Sequence, residues 1–358
     1  MQFRMVFLLP LMLLGACQSI PTNAVEFPAP KLADYILKDF HFRSGEMMDV
    51  RMHVRTLGTL RQAGDKSNAV LILHGTGGNG DRFLLPQFGG ILFGRRRLLD
   101  AEKYFIIIPD DVGHGLSTKP SDGLRAKFPN YGYEDMVELE YRLVTEALGV
   151  RHLRLVMGTS MGGMHSWLWP ERYPGFMDAA MPLASLPGPI SGRNRVWRKT
   201  IIDAIRNDPE WQGGNYAQQP QSLRTDLAIS FFMAENPYRR YTDAPTLKQA
   251  DAVLEKYIND RMATTDANDE IYALQASEDY DPSPDLEKIK CRLLAVNFAD
   301  DLINPNDVEG ILQTNIKRVK NGKAVVFPES DQTHGHQTHT YPVVWQRLLA
   351  ELLRETER

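Results

Sequence analysis

Ser160 stands in Gly158-Thr159-Ser160-Met161-Gly162, directly after the apolar run Leu155-Val156-Met157. A hydroxyl flanked by glycines at the end of a buried strand is the arrangement of a serine nucleophile raised on a tight strand-to-helix turn. Side chains at 158 and 162 would block the turn and the close approach of strand and helix. The following helix offers unpaired N–H groups and the positive end of its dipole. Serine also needs a base within hydrogen-bond reach. His334, His336 and His339 follow the apolar run Val325-Val326-Phe327-Pro328, and His336, just after Gly335, is the expected base. His334 is the alternative and His339 a third choice. A carboxylate must hold the base in its tautomer. Asp300 and Asp301 end the apolar stretch Leu293–Phe298, and because they are adjacent only one can face the histidine. The oxyanion donors expected are the backbone N–H groups of Met161 and of Thr76, in the loop His74-Gly75-Thr76-Gly77-Gly78-Asn79-Gly80.

The elements that must carry these residues read as an α/β fold. Ala69–Leu73, Tyr104–Pro109, Leu155–Met157, Ala179–Leu186, Leu293–Val296 and Val325–Pro328 are short buried strands. The segment from His41 to Thr59 reads as earlier antiparallel strands, with Met52, His53 and Val54 inside. Helices are expected over Tyr133–Leu148 and Tyr341–Glu355, each with apolar residues at helical spacing, and over Gly162–Glu171, with Trp167 and Trp169 packing against the sheet or cap. Serine, then aspartate, then histidine is the chain order of α/β-hydrolases. Asp301, four residues before Pro305, has the commoner spacing for the acid in that fold, with Asp300 as the alternative. The fold class expected is therefore an α/β-hydrolase fold: a mostly parallel central sheet flanked by helices. His114, in the loop after the Tyr104–Pro109 strand, sits where open sheets bind ligands, or else it braces that loop. His165 is expected to have turned away from Ser160, and His53 to be structural.

Residues 187–288 break the strand–helix alternation and carry helical stretches at 194–207, 223–234 and 246–257. They read as a helical cap over the nucleophile, with the core formed by 36–186 and 289–358. Trp211, Phe231, Phe232 and Tyr238 are candidate pocket or cap-core residues. At the other end, Arg4 and the run Val6–Leu14 form a hydrophobic stretch too short to span a bilayer. It ends in Leu14-Gly15-Ala16-Cys17, similar to the lipobox of bacterial lipoprotein signal peptides. Residues 1–17 are expected to be a signal peptide with Cys17 lipidated, and 18–35 a Pro-, Ala- and Thr-rich tether. The expected location is the cell envelope, lipid-anchored at the periplasmic face of the bacterial outer membrane, with the membrane partner reached through acyl chains.

A formal charge of −4 points to neither nucleic acid nor a basic membrane-binding face. Besides Cys17 only Cys291 is present, and it reads as a small buried hydrophobe. The three clustered histidines lack acidic or cysteine companions at zinc spacing, so no metal is expected. The glycine loop lacks the Lys-Ser/Thr of a phosphate loop, and no cofactor is expected. A small-molecule ester is the expected partner, and a homodimer is left open.

Further motifs narrow the kinship. Leu99-Asp100-Ala101-Glu102-Lys103-Tyr104-Phe105, Tyr133-Glu134-Asp135-Met136-Val137, the elbow through Met164, Trp169, Tyr173-Pro174, Asn207–Tyr216 and Asp266-Ala267-Asn268 together resemble the homoserine O-acetyltransferase branch of the α/β-hydrolases. The resemblance covers most of residues 60–350. It implies acyl transfer from acetyl-CoA through an acyl-serine to homoserine. Two segments depart from that branch. Its acceptor-binding Tyr-Arg-Ser segment is not recognisable, the nearest stretch being Leu223-Arg224-Thr225-Asp226-Leu227. The His74 loop reads Gly75-Thr76-Gly77-Gly78 in place of an Ala-Leu-Thr-Gly type. Outside the inner membrane acetyl-CoA is absent and water abundant. The reading is therefore a serine ester hydrolase, with O-acyltransferase as the alternative and a non-catalytic binding lipoprotein as a second alternative.

Overall fold

A computed structural model describes residues 26–305 and 310–357. The expected signal peptide, Cys17 and residues 18–25 of the expected tether lie outside the described residues. Eight strands form the main sheet. They are Lys31–His41 (β1), Met47–Leu57 (β2), Ala69–Leu73 (β3), Phe105–Pro109 (β4), Leu155–Thr159 (β5), Ala179–Leu183 (β6), Arg292–Phe298 (β7) and Gly322–Phe327 (β8). Their spatial order is β1-β2-β4-β3-β5-β6-β7-β8. β2 is antiparallel to both β1 and β4, and every later pairing is parallel.

The aliphatic blocks work as strands because both faces are covered. Every residue of β3, β5 and β6 is buried. Successive side chains alternate between two cores, as a two-residue period requires. Leu71, Leu73, Ile107 and Val156 face one core, and Ile72, Ile106, Ile108 and Met157 face the other. The first core is closed by Tyr133–Arg142 (α1) and Met161–Arg172 (α2), through Met136, Leu139, Trp167 and Trp169. Between β6 and β7 come Gly192–Arg206 (α3), Ser222–Ala234 (α4), Pro237–Asp243 (α5), Leu247–Met262 (α6) and Ala267–Gln275 (α7). They form a helical cap. Pro342–Glu355 (α8) closes the second core with Trp345, Leu348, Leu349 and Leu352. The fold is the expected α/β-hydrolase architecture with its cap insertion.

Three boundaries differ from the sequence reading. β1 begins at Lys31, inside the stretch 18–35 expected as a tether. Of its eleven residues only Leu37 and Phe40 are buried, and a bulge between them breaks the alternation that would have marked it. The α1 segment loses regular α geometry after Arg142. Leu143–Ala147 is wound more widely, and Gly149 at φ 66° turns the chain out. β8 starts at Gly322, and all its residues are only half-buried, which blurs its entry. No helix among the described residues is long and apolar enough to cross a membrane.

Candidate active site

The turn between β5 and α2 is as tight as its glycines imply. Ser160 is held at φ 56°, ψ −114°, a conformation that strains a residue with a side chain. A Cβ on Gly158 would lie 2.1 Å from the Gly162 carbonyl oxygen, and one on Gly162 would lie 2.1 Å from that of Leu73. Ser160 N–H donates to Leu183 O and Gly162 N–H to His74 O, each at 2.9 Å. The first turn of α2 is therefore pinned to the ends of both neighbouring strands. Met161 opens α2, and Thr76 lies on the loop after β3; among the described residues neither amide donates to another backbone group.

Ser160, His336 and Asp301 form one hydrogen-bonded line. The Ser160 hydroxyl donates to His336 Nε2 at 2.8 Å, and His336 Nδ1–H donates to Asp301 Oδ2 at 2.7 Å. The second Asp301 oxygen accepts the N–H groups of Ile303 and Asn304 at 2.8 and 2.9 Å. Asn304 is itself anchored, its amide donating to Ala184 O at 2.8 Å. The carboxylate is thus fixed by the loop after β7, and the imidazole by the loop after β8.

The two alternative residues have other positions. Asp300 accepts from Gly335 N–H at 2.8 Å and from the Asn236 amide of the cap at 2.6 Å. It braces the histidine loop against the cap without touching His336 Nδ1. His334 stacks on Tyr341, with ring centres 4.1 Å apart, and burial pushes its pKa down to about 4. His339 lines the pocket, its ring 5.0 Å from that of His336, and burial first, then His336, pushes its pKa well down. His114 Nδ1 meets Val112 O at 3.1 Å and braces its own loop, and burial pushes its pKa down to about 3. His53 pairs with Asp34 at 2.7 Å and His165 with Glu140 at 2.7 Å, both away from Ser160. Cys291 is a buried free thiol, pushed up to about 12 by burial.

The pocket over Ser160 is lined by the His74 loop, by Phe83 and Phe88, and by cap residues that sequence reading missed. These are Trp197 and Arg198 of α3, Leu227 of α4, Tyr257 and Arg261 of α6, and Glu270 of α7, with Arg82 beside them. None of the four cap aromatics proposed from sequence lines it. Trp211 donates to Asn268 Oδ1 at 2.9 Å, Phe231 packs on Tyr257, and Phe232 and Tyr238 are exposed. Among the described residues one His/Asp/Glu group has metal-like spacing: Asp111, Glu140 and His165, all buried. It is distinct from the histidine loop considered above.

The α/β hydrolase fold family model matches residues 68–331. The chain belongs to that family. Among curated relatives of this α/β-hydrolase, the homoserine O-acetyltransferase of Trichormus variabilis is 32% identical over 291 residues, 73% of this chain and 77% of that protein. The crystal structure of homoserine O-acetyltransferase from Bacillus anthracis superposes with a TM-score of 0.80 at 22% identity, over 91% of this chain and 98% of that one. An acetylester hydrolase from Corynebacterium glutamicum superposes with a TM-score of 0.78 at 22% identity, over 91% and 96%. The α/β-hydrolase described here is therefore an enzyme of the ester-acting, acyl-transferring kind. Its family-like cap motifs are struts: Tyr216 OH donates to Asp266 at 2.8 Å, and the Asn268 amide donates to Gly214 O at 3.0 Å.

Proposed function

We propose that this α/β-hydrolase is a serine O-acyltransferase of the homoserine O-acetyltransferase type. It would take an acyl group onto Ser160 and pass it to a small hydroxyl acceptor. His336 removes the Ser160 proton as Oγ attacks the acyl carbonyl, and the oxyanion is met by the Thr76 and Met161 amides. The leaving alkoxide or thiolate departs with the proton that His336 returns. The acceptor hydroxyl then gives its proton to His336, attacks the acyl-serine, and restores Ser160 with its hydrogen. The observation that carries the reading is the unbroken Ser160–His336–Asp301 hydrogen-bonded line in a capped pocket. Its kinship with acetyltransferases over most of the chain favours transfer.

A second reading, hydrolysis with water as acceptor, is favoured by the cap. In α4, Leu227 lines the pocket while Arg224 turns outward to Glu255 at 3.0 Å, so the departure from the transferase acceptor segment persists at the site. Partitioning decides between them. With p-nitrophenyl acetate as donor and homoserine as acceptor, transfer predicts O-acetylhomoserine rising with acceptor concentration. Acetate as the sole product at every concentration would leave hydrolysis.

The Leu14-Gly15-Ala16-Cys17 stretch supports a further part of the proposal, a lipid anchor in the cell envelope. There the acyl donor would be an ester and not acetyl-CoA. Expression of the full chain with labelled palmitate, beside Cys17→Ala, tests it: label and membrane association should both vanish in the variant.

A further inference from the structure

The large apolar side chains left exposed on this α/β-hydrolase are not spread evenly. Among the described residues the exposed large aromatics are Phe232, Tyr238 and Tyr241, and all of them fall in the cap, with Leu247 close behind in sequence. Their exposures run from 69% to 81%. They come from the last turn of α4, from α5 and from the first residue of α6. Tyr238 and Tyr241 stand one helical turn apart on α5 and so share a face. The segment carries no net charge: Glu235, Arg239, Arg240 and Asp243 cancel, Arg239 pairing with Asp243 at 3.6 Å and Arg240 with Glu235. Exposed apolar residues scattered singly need no explanation, whereas aromatics gathered on successive helix ends mark a surface that something covers.

That edge adjoins the site. Leu227, Ser230 and Ala234 of α4 line the pocket over Ser160, and Phe232 lies between the last two in sequence, on the exposed side. Asn236, which caps α5, gives its amide to Asp300, and Arg239 Nη1 donates to Asp331 O at 3.0 Å. The aromatic helix α5 is thereby braced to the loop that carries His336. The chain also enters beside the pocket. Phe27 packs edge-on against Phe93 with ring centres 5.6 Å apart, and a Cβ on Gly89 would lie 2.7 Å from Phe27 Cζ. Phe88, the residue before Gly89, lines the pocket. Only residues 18–25 separate Cys17 from Glu26. Fully extended, that stretch spans at most about 32 Å. A lipid on Cys17 would therefore hold the pocket wall beside Phe27 close to a bilayer.

We propose that Phe232, Tyr238, Tyr241 and Leu247 rest in the headgroup layer of the membrane to which Cys17 ties the chain, so that Ser160 works at the bilayer surface on esters partitioned into it. The inference rests on the lipid anchor read from Leu14-Gly15-Ala16-Cys17. Tyrosine suits that layer because its ring is apolar and its hydroxyl stays wet, and phenylalanine and leucine add buried apolar area. A few such side chains bind a bilayer weakly alone. An anchor within tens of ångströms makes the contact intramolecular and raises its effective concentration. An edge without net charge also meets no repulsion from anionic lipid.

The test uses the full chain, expressed in a lipidating host and reconstituted in vesicles of phosphatidylethanolamine and phosphatidylglycerol. The mass of the purified chain first reads the lipid on Cys17. A polarity-sensitive dye is then placed on Tyr241→Cys, the thiol of Cys291 being buried, and on Glu146→Cys, an exposed position ahead of β5. The dye at 241 should shift to the blue and be quenched by spin-labelled lipid, while the dye at 146 stays as in water. Tyr238→Glu combined with Tyr241→Glu should lower turnover of p-nitrophenyl palmitate carried in the vesicles about tenfold, and leave soluble p-nitrophenyl acetate within about twofold. A lipidated chain whose dye at 241 stays in water, or a double variant that slows both esters alike, would overturn the docking edge and leave the anchor standing. A chain without lipid on Cys17 would sink the anchor, and the docking edge with it. A blue shift that needs no vesicles and grows with protein concentration would give the edge to a second copy of the chain and overturn the membrane contact.

Discussion

Asp301–His336 and Glu140–His165 are both buried carboxylate–histidine pairs, the second with its histidine on α2. Asp301 meets His336 at 2.7 Å, and Glu140 meets His165 at the same distance. The chemical groups are alike, and their settings are not. His336 sits on a loop beyond the strand ends, and its second nitrogen takes the hydroxyl of Ser160 in an open pocket. His165 lies inside the first core, against the edge of Tyr133 at 4.8 Å, and its Nε2 has no partner. Glu140 takes a further hydrogen bond from Trp169 Nε1, and Asp111 lies 3.8 Å from His165 with both oxygens unpartnered. A buried acid–imidazole pair therefore becomes a base only where the far nitrogen meets a nucleophile and substrate can enter. Elsewhere it is a brace.

The sharpest break of this comparison is Asp301→Asn. The histidine loses its tautomer-setting partner, so kcat/KM should fall about 10⁴-fold while the fold survives. Steady-state turnover of p-nitrophenyl acetate, with circular dichroism as the folding check, measures both. Asp300→Asn should cost far less, about tenfold, because it loosens Gly335 and Asn236 without touching the imidazole; the same assay ranks the two neighbours. An equal loss in both variants would erase the distinction between acid and brace.

The second pair should respond through stability and leave chemistry within about threefold. Burial pushes Glu140 up to about 7 from 4.5. The native state then holds a proton that the unfolded chain releases above its ordinary value. Stability is therefore full below about 4.5, falls as pH rises toward 7, and levels off beyond. Glu140→Gln, which does not titrate, should flatten that slope by about 1–3 kcal/mol. Urea unfolding at pH 5 and pH 8 reads the difference, and an unchanged slope would remove Glu140 as its source.

What the sequence shows of this site follows from where the constraints are local. Gly158 and Gly162 are legible because a single methyl group there would strike a neighbouring backbone oxygen at 2.1 Å. Asp300 and Asp301 are legible as a pair, but which one reaches the histidine depends on the loop, through Ile303 and Asn304 N–H on Asp301 and Gly335 N–H on Asp300. Arg82, Arg198, Arg261 and Glu270 leave no pattern, since four separate segments supply one residue each. Family-like Asp266-Ala267-Asn268 is recognisable for a different reason: it holds the cap together through Tyr216, Trp211 and Gly214. β1 escapes notice because only two of its eleven residues are buried, and a bulge between them shifts its register.

The most direct test of the central claim is the intact mass of residues 18–358 after exposure to a fluorophosphonate probe, beside the same measurement on Ser160→Ala. One adduct on the wild type and none on the variant is the predicted result. No adduct on the wild type, or an adduct that persists without Ser160, would contradict it.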